Sequence, residues 1–454
     1  MANQVRIQAE FRRVHLFSRA FPAGIHLRAI GSMRQGDWVL AGSYDNSPVL
    51  DGVQLSAGNS TLLVLRMTRS GQIAWRFTAA STNGAPGLVV NDLSVGDDDT
   101  VYLGAEFANP VTIGSSTLTP QSSNGNAVLL AIEPQGGLRW VVPLYSMDQV
   151  RIRSLVATGG AIVAAGTHRG VALGSLVLQP PAAPWTGPSA FVVSVTDAGV
   201  PGWLVGGWDV RAGPVVGREG TLVDVGTAYA GVLSVGPCNH PGSTSWTTPA
   251  VMRWTLQGAC VDSSASRVSG ATLASSPTLE FVSSLSGAQL AAAFTSGASG
   301  QSVAWGGTGM FAPSERGAVL ARVAGPNPDW VIRGLGNFPA SGARWDVNIL
   351  TGGVLETENV WQGIVYDDFQ IPNLGSVGAA LFLLRDGVTG QRRFHFLIPG
   401  TATADPMGPT TTDLTTWEAN YRILGQATAP VDFGGGPLNI VPTLGSSFVV
   451  EVTE

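Results

Sequence analysis

Apolar residues along this chain come in runs of four to eight, either unbroken or alternating with polar ones, and bounded by Gly, Pro, Asn or Asp. Runs of that length and period predict β-strands. One set reads WVLAGSY (38–44), VYLGAEF (101–107), IVAAGTH (162–168), LVDVGTA (222–228), QLAAAFT (289–295) and YRILGQA (421–427). Polar turns precede them, among them Gln35-Gly36, Asp97-Asp98-Asp99, Gly159-Gly160, Glu219-Gly220 and Ser286-Gly287. A V-x-Φ-G-like phrase follows: VLDGV (49–53), VTIGS (111–115), VALGS (171–175), VAWGG (303–307) and VDFGG (431–435). Next comes an apolar strand, as in TLLVLRM (61–67), AVLLAIE (127–133), AFVVSVT (190–196) and SFVVEVT (447–453). Then a Gly turn opens on an aromatic: GQIAW (71–75), GLRW (137–140), GVPGW (199–203), GPNPDW (325–330) and GQRRF (390–394), with GACVD (258–262) as a degenerate copy. The phrases recur about every 60 residues, the signature of a repeat architecture.

Each unit thus holds four strands, termed a, b, c and d in chain order, with the aromatic on d. Six units are complete. The seventh has a, b and c before the chain ends at Glu454, and its missing strand d is expected at the other end, around Phe17 in HLFSRAF (15–21). A circular array must cover its last edge strand, and pairing the first strand of the chain with the last three does so. The expected fold is all-β: a seven-bladed β-propeller of four-stranded antiparallel blades, closed by the N-terminal strand. The expected blades are 23–80, 81–146, 147–206, 207–270, 271–337, 338–400, and 401–454 with 1–22, in one domain.

Composition sharpens this picture. Gly accounts for 59 of 454 residues and charged residues for only 12%, against 44% hydrophobic, which excludes both a disordered chain and a coiled coil. The net charge is −6 and every cation is Arg, a poor endowment for binding nucleic acid and one that excludes Lys nucleophiles. No secretory signal opens the sequence and no apolar run is long enough to span a membrane.

PVDFGGGPLNIVPTLGSSFVVEV (430–452) and VLRMTRSGQIAWRF (64–77) together resemble a bacterial β-propeller repeat of surface and secreted proteins, notably of myxobacteria, and are distantly similar to quinoprotein-type repeats. The resemblance covers the chain unit by unit. It implies a propeller acting in surface or interaction roles, placed extracellularly, on a cell surface or in a larger particle. It carries no catalytic residues. A cytoplasmic location stays open, since no signal precedes the first unit.

Candidate chemistry is sparse. The five His residues show no metal-ligand spacing, there is no HExxH or CxxC, and the Gly-rich runs lie between strands, so no metal or cofactor is expected. The Asp97-Asp98-Asp99 run reads as a solvated hairpin turn. Strand a normally lines the central channel, and its charged candidates are Arg28, Asp92, Arg153, Arg211, Glu280, Arg344, Asp346 and Asp413. Their mixed signs fit ion pairs between blades or a ligand site at the channel mouth. Cys238 and Cys260 fall in the unit that lost its Trp, as a disulfide or as two buried thiols. Trp185 and Trp246 have no counterpart in the repeat and sit in equivalent b–c loops of adjacent units. With His240 and Tyr229 they form a candidate binding patch for a glycan or a protein, unless each Trp folds back over its own blade. The expected function is a non-enzymatic binding or scaffold propeller. The alternative is a lyase or hydrolase with its site at the channel mouth.

Overall fold

The computed structural model describes residues 16–453 except 82–85, 159, 180–187, 220–221, 230–231, 236–237, 242–247 and a series of stretches between strands from 271 to 445. All regular elements in it are β-strands, paired antiparallel. The inner strands Ile25–Ser32, Leu88–Val95, Val150–Thr158, Pro201–Glu219, Leu279–Ser283, Arg344–Asn348 and Thr410–Trp417 touch one another in that succession, and the last touches the first. Sheets radiating from a closed ring of inner strands make a β-propeller.

The ring closes as its edges require. Phe17–Ala20 pairs with Ser446–Thr453, Phe17 opposite Glu451 and Ala20 opposite Phe448. The resulting four-stranded sheet takes one strand from the N-terminus and three from the C-terminus. Arg422 reinforces the joint from inside. Its side chain is fully buried, donates from Nε to Glu451 Oε2 at 2.8 Å and from Nη1 to the Asp37 carbonyl at 3.1 Å, and lies 4.6 Å over the Trp38 ring. The C-terminal sheet is therefore tied to the first unit by charge-assisted hydrogen bonds.

Six sheets of four or more strands form among the described residues, which corrects the expectation of seven separate sheets of four. The cause is strand Pro201–Glu219, which runs 19 residues without a break. Its first half pairs with Ser189–Thr196 and its second half with Leu222–Tyr229. The groups expected as third and fourth blades are thereby fused into one nine-stranded sheet.

Sheet size departs from four for a second reason. A short hairpin follows strand b, and in three units it pairs with strand d of the preceding unit. Val111–Ile113 pairs with Ile73–Ser81, Gln301–Trp305 with Cys260–Gly270, and Ile364–Tyr366 with Pro328–Leu335. The outer edges of these three strands are thereby covered.

The aromatic phrase also acts between units. Trp75, Trp140 and Trp203 each donate from Nε1 to a carbonyl in the c–d turn of the next unit, to Pro134 at 2.8 Å, Asp197 at 2.9 Å and Leu256 at 2.7 Å. Each ring lies on the Gly of that turn. A Cβ on Gly136, whose φ is +90°, would come within 2.9 Å of Trp75. Gly199 meets Trp140, Gly258 meets Trp203, and Gly390 meets Trp330 in the same way. Gly71 meets Phe17, so Phe17 holds the aromatic position of the sheet that spans the two ends of the chain. The spacing seen in the sequence is thus the docking of one copy of the phrase on the next.

Candidate functional site

Inner strands carry a recurring irregularity. In the first unit Leu27 pairs with Gly42 and Ala29 with Ala41, leaving Arg28 out of the ladder. The same slip leaves out Asn91 in the second unit and Arg153 in the third. It leaves out Thr412 in the last inner strand, whereas in the strand Pro201–Glu219 the register shifts between Val210 and Ala212 and again between Ala212 and Val215. A β-bulge adds one residue on one strand, bends it, and re-aims the side chain of the extra residue. Strand b makes room with a glycine: a Cβ on Gly42 would sit 2.1 Å from the His26 carbonyl oxygen. Gly42, Ala105 and Gly166 are the small strand b residues at these bulges.

Three consecutive units therefore present Arg28, Asn91 and Arg153 at one level of the inner ring. Arg28 and Arg153 are exposed. Glu106, near the end of strand b of the second unit, is drawn to the same place. Asn91 Nδ2 donates to Glu106 Oε1 at 2.7 Å and to the Ile152 carbonyl at 2.8 Å, crossing from the second unit to the third. Arg151 Nε lies 3.4 Å from Glu106 Oε2. Desolvation raises the Glu106 carboxyl above its ordinary range, against the opposing pull of the Asn91 hydrogen bond and of Arg151, Arg153 and Arg28. One guanidinium, that of Arg151, thus lies against a partly buried carboxylate that also feels the positive charge of Arg153 and Arg28.

The two described channel aspartates have a different task. Asp92 accepts from its neighbour Leu93 N at 2.8 Å and, across the interface, from Leu155 N at 2.7 Å. Asp413 repeats this with Leu414 N at 2.9 Å and Ile30 N at 2.7 Å. Both carboxylates knit neighbouring inner strands through backbone amides. Arg211, Glu280, Arg344 and Asp346 lie on inner strands, and their side chains are outside the described part.

Trp185 and Trp246 lie outside the described residues. His240 and Tyr229 fall on strands Cys238–Pro241 and Leu222–Tyr229, with side chains outside the description. Tyr229 pairs with Thr248 in the register that pairs Tyr44 with Thr61 and Phe107 with Asn126. Tyr44 and Phe107, at that register position in their own units, are core residues. Cys238 and Cys260 are both buried, their Cα atoms are 6.0 Å apart, and they are joined as a disulfide between the outer hairpin and strand d of the fourth unit.

His168 holds that same register position in the third unit, opposite Ser189. It is buried, and burial pulls its pKa down to about 4. Its Nδ1 accepts from Gly170 N at 2.9 Å. The Asp97-Asp98-Asp99 run is a turn. Asp98 accepts from Thr100 Oγ1 at 2.8 Å, and Asp99 accepts from Arg34 N of the first unit at 2.8 Å. Among the described residues no group of three His, Cys, Asp or Glu could hold a metal ion.

Asn91, Glu106 and Arg151 were not singled out from the sequence. Arg151 stands two residues from Arg153 on one strand, and that spacing was the available signal. Asn91 and Glu106 needed the bulge and the pairing between units to become visible.

No family model and no curated protein sequence matches the chain. Similar solved structures include a member of the DUF4221 family from Bacteroides vulgatus, at 9% identity, 97% of both chains covered and a TM-score of 0.37. A protein of unknown function from Bacteroides caccae is similar at 9% identity over 74% of this chain and 89% of that chain, with a TM-score of 0.33. The GH43 protein BlXynB from Bacillus licheniformis is similar at 10% identity over 96% of both chains, with a TM-score of 0.30.

Proposed function

We propose that the protein is a non-enzymatic recognition propeller that binds a glycan or protein partner at the channel-facing wall of its first three units. The observation that carries this reading is the placing of Arg28, Asn91 and Arg153 at equivalent bulges around Glu106. Bulges of this kind cluster where a sheet turns side chains toward a ligand. The fold supplies rigid positions, and a concave mouth with convergent polar groups is where propellers accommodate ligands. Counting the strand Pro201–Glu219 once for each of its two neighbours gives seven repeating units, and the succession of inner strands supports that count. The resemblance to surface propeller repeats and the Cys238–Cys260 disulfide both favour an oxidising, extracytoplasmic setting.

The test is a glycan array together with recovery of native partners, using the wild type and a variant carrying Arg28→Gln and Arg153→Gln. Recognition lost in the variant supports the channel wall. Recognition retained there, but lost when Trp185 and Trp246 are both replaced by Ala, moves the site to the b–c loops.

A second reading rests on Glu106. A half-buried carboxyl with a raised pKa in a cleft is a general-acid candidate, which suits a lyase or hydrolase at the channel mouth. Turnover of a glycan abolished by Glu106→Gln, with binding retained, would establish it.

A further inference from the structure

We infer that the channel wall of the first three units is an anion site for a small ligand carrying at least two oxyanion groups, carboxylate or phosphate. The inference rests on the channel-wall reading above and names the chemistry of its ligand.

Charge balance is the first argument. Of the three arginines on these strands only Arg151 contacts Glu106, while Arg28 and Arg153 act on it through their field. That carboxylate is already engaged: Oε1 accepts from Asn91 and Oε2 faces Arg151. The nearest other described carboxylate on these inner strands, Asp92, is occupied by the Leu93 and Leu155 amides. Among the described residues, the two guanidinium groups of Arg28 and Arg153 therefore stand exposed with no ion pair of their own.

Geometry is the second argument. Arg28 and Arg153 occupy equivalent backbone positions one unit apart on either side of Asn91, so their anchoring points are fixed by the ring and not by loops. A guanidinium presents a planar fork that matches a carboxylate or phosphate bidentately. Two forks held on a rigid scaffold select a ligand with two oxyanions over one with a single charge. A positively lined cleft with low-dielectric walls also concentrates anions ahead of contact, although the chain as a whole is acidic at −6. Glu106 acts as the resident counter-ion. It holds Arg151 in the unliganded state and repels an incoming anion.

That role predicts opposite signs for two kinds of substitution. Titration calorimetry at low ionic strength would use citrate and inorganic pyrophosphate as probes, with glucose as the neutral control. Saturable binding of one ion per chain is expected. Arg28→Gln and Arg153→Gln, singly and together, should weaken it, the pair by about tenfold or more. Glu106→Gln should tighten it. Citrate alone binding would assign a carboxylate ligand, and pyrophosphate alone a phosphate ligand. Because both arginines are exposed, the unliganded melting temperature should hold in each single variant, which keeps the comparison valid if the double variant is unstable. No saturable binding of either ion, or binding indifferent to both single Arg variants, overturns the anion site. If a neutral glycan binds and depends on Arg28 and Arg153 while both ions fail, the anion inference falls and the channel-wall reading stands.

Discussion

Arg422 and Glu451 face each other at 2.8 Å on paired strands of the sheet that joins the two ends of the chain, and both are almost wholly excluded from solvent. Asn420 Nδ2 donates to the second Glu451 oxygen at 2.7 Å, and Arg422 reaches on to carbonyls of the first a–b turn. A buried pair of this kind is costly to break from one side, since the partner is left charged without compensation. Arg422→Met should therefore destabilise by about 3–5 kcal/mol. Glu451→Gln, which leaves the buried Arg422 guanidinium without its counter-ion, should cost a similar amount. Urea denaturation of both variants checks the magnitudes. Deletion of residues 1–22 should act on the same joint by exposing the edge of Ser446–Thr453, lowering the melting temperature and promoting self-association. A truncated chain that stays monomeric at an unchanged melting temperature contradicts this closure.

The contact of Trp75 with Gly136 predicts a coupled pair. Gly136→Ala places a Cβ against the indole at a backbone angle that favours glycine, and should destabilise by about 1–3 kcal/mol. Part of that cost disappears once the indole is gone. In a double-mutant cycle with Trp75→Ala, Gly136→Ala should therefore cost less than in the wild type, with a coupling of about 0.5–3 kcal/mol. Strict additivity would mean that the indole and the turn do not meet.

His168 predicts a pH dependence. Burial holds its folded pKa at about 4, below the ordinary value of 6.5, so the unfolded chain takes up the proton first. The associated stability is complete above pH 6.5 and is lost as the pH falls toward 4. The loss amounts to about 3 kcal/mol, following from about 1.4 kcal/mol per pKa unit. His168→Phe puts at this register position the residue that Phe107 provides in the second unit. The variant should show a flatter stability profile between pH 4 and 6.5. Parallel profiles for the two proteins would place the acid sensitivity elsewhere.

The disulfide between Cys238 and Cys260 closes a 22-residue separation in the unit whose turn copy, GACVD, lacks the aromatic. Intact-mass analysis after alkylation should find no free thiol in the native protein and two after reduction in denaturant. Replacing both by Ser should cost about 3 kcal/mol by loop-closure entropy. Two alkylated thiols in the unreduced protein would remove the bond.

Strand identity, repeat period and the partnership of the two chain ends were legible in the sequence because each is a local pattern copied many times. A period-two run keeps its meaning wherever it lies, and the Gly-to-aromatic phrase recurs because every copy receives the ring of the copy before it, as Gly136 receives Trp75. Pairing between strands was decided elsewhere. A bulge shifts register by one residue without altering either strand's own pattern, so Arg28, Asn91 and Arg153 became equivalent only once the partners Gly42, Ala105 and Gly166 were in place. Glu106 and Arg151 come from different units, and no spacing along the chain brings them together. The unbroken strand Pro201–Glu219, which reduces the sheets to six, has the same origin: whether one strand serves two neighbours depends on what lies beside it, not on its own residues.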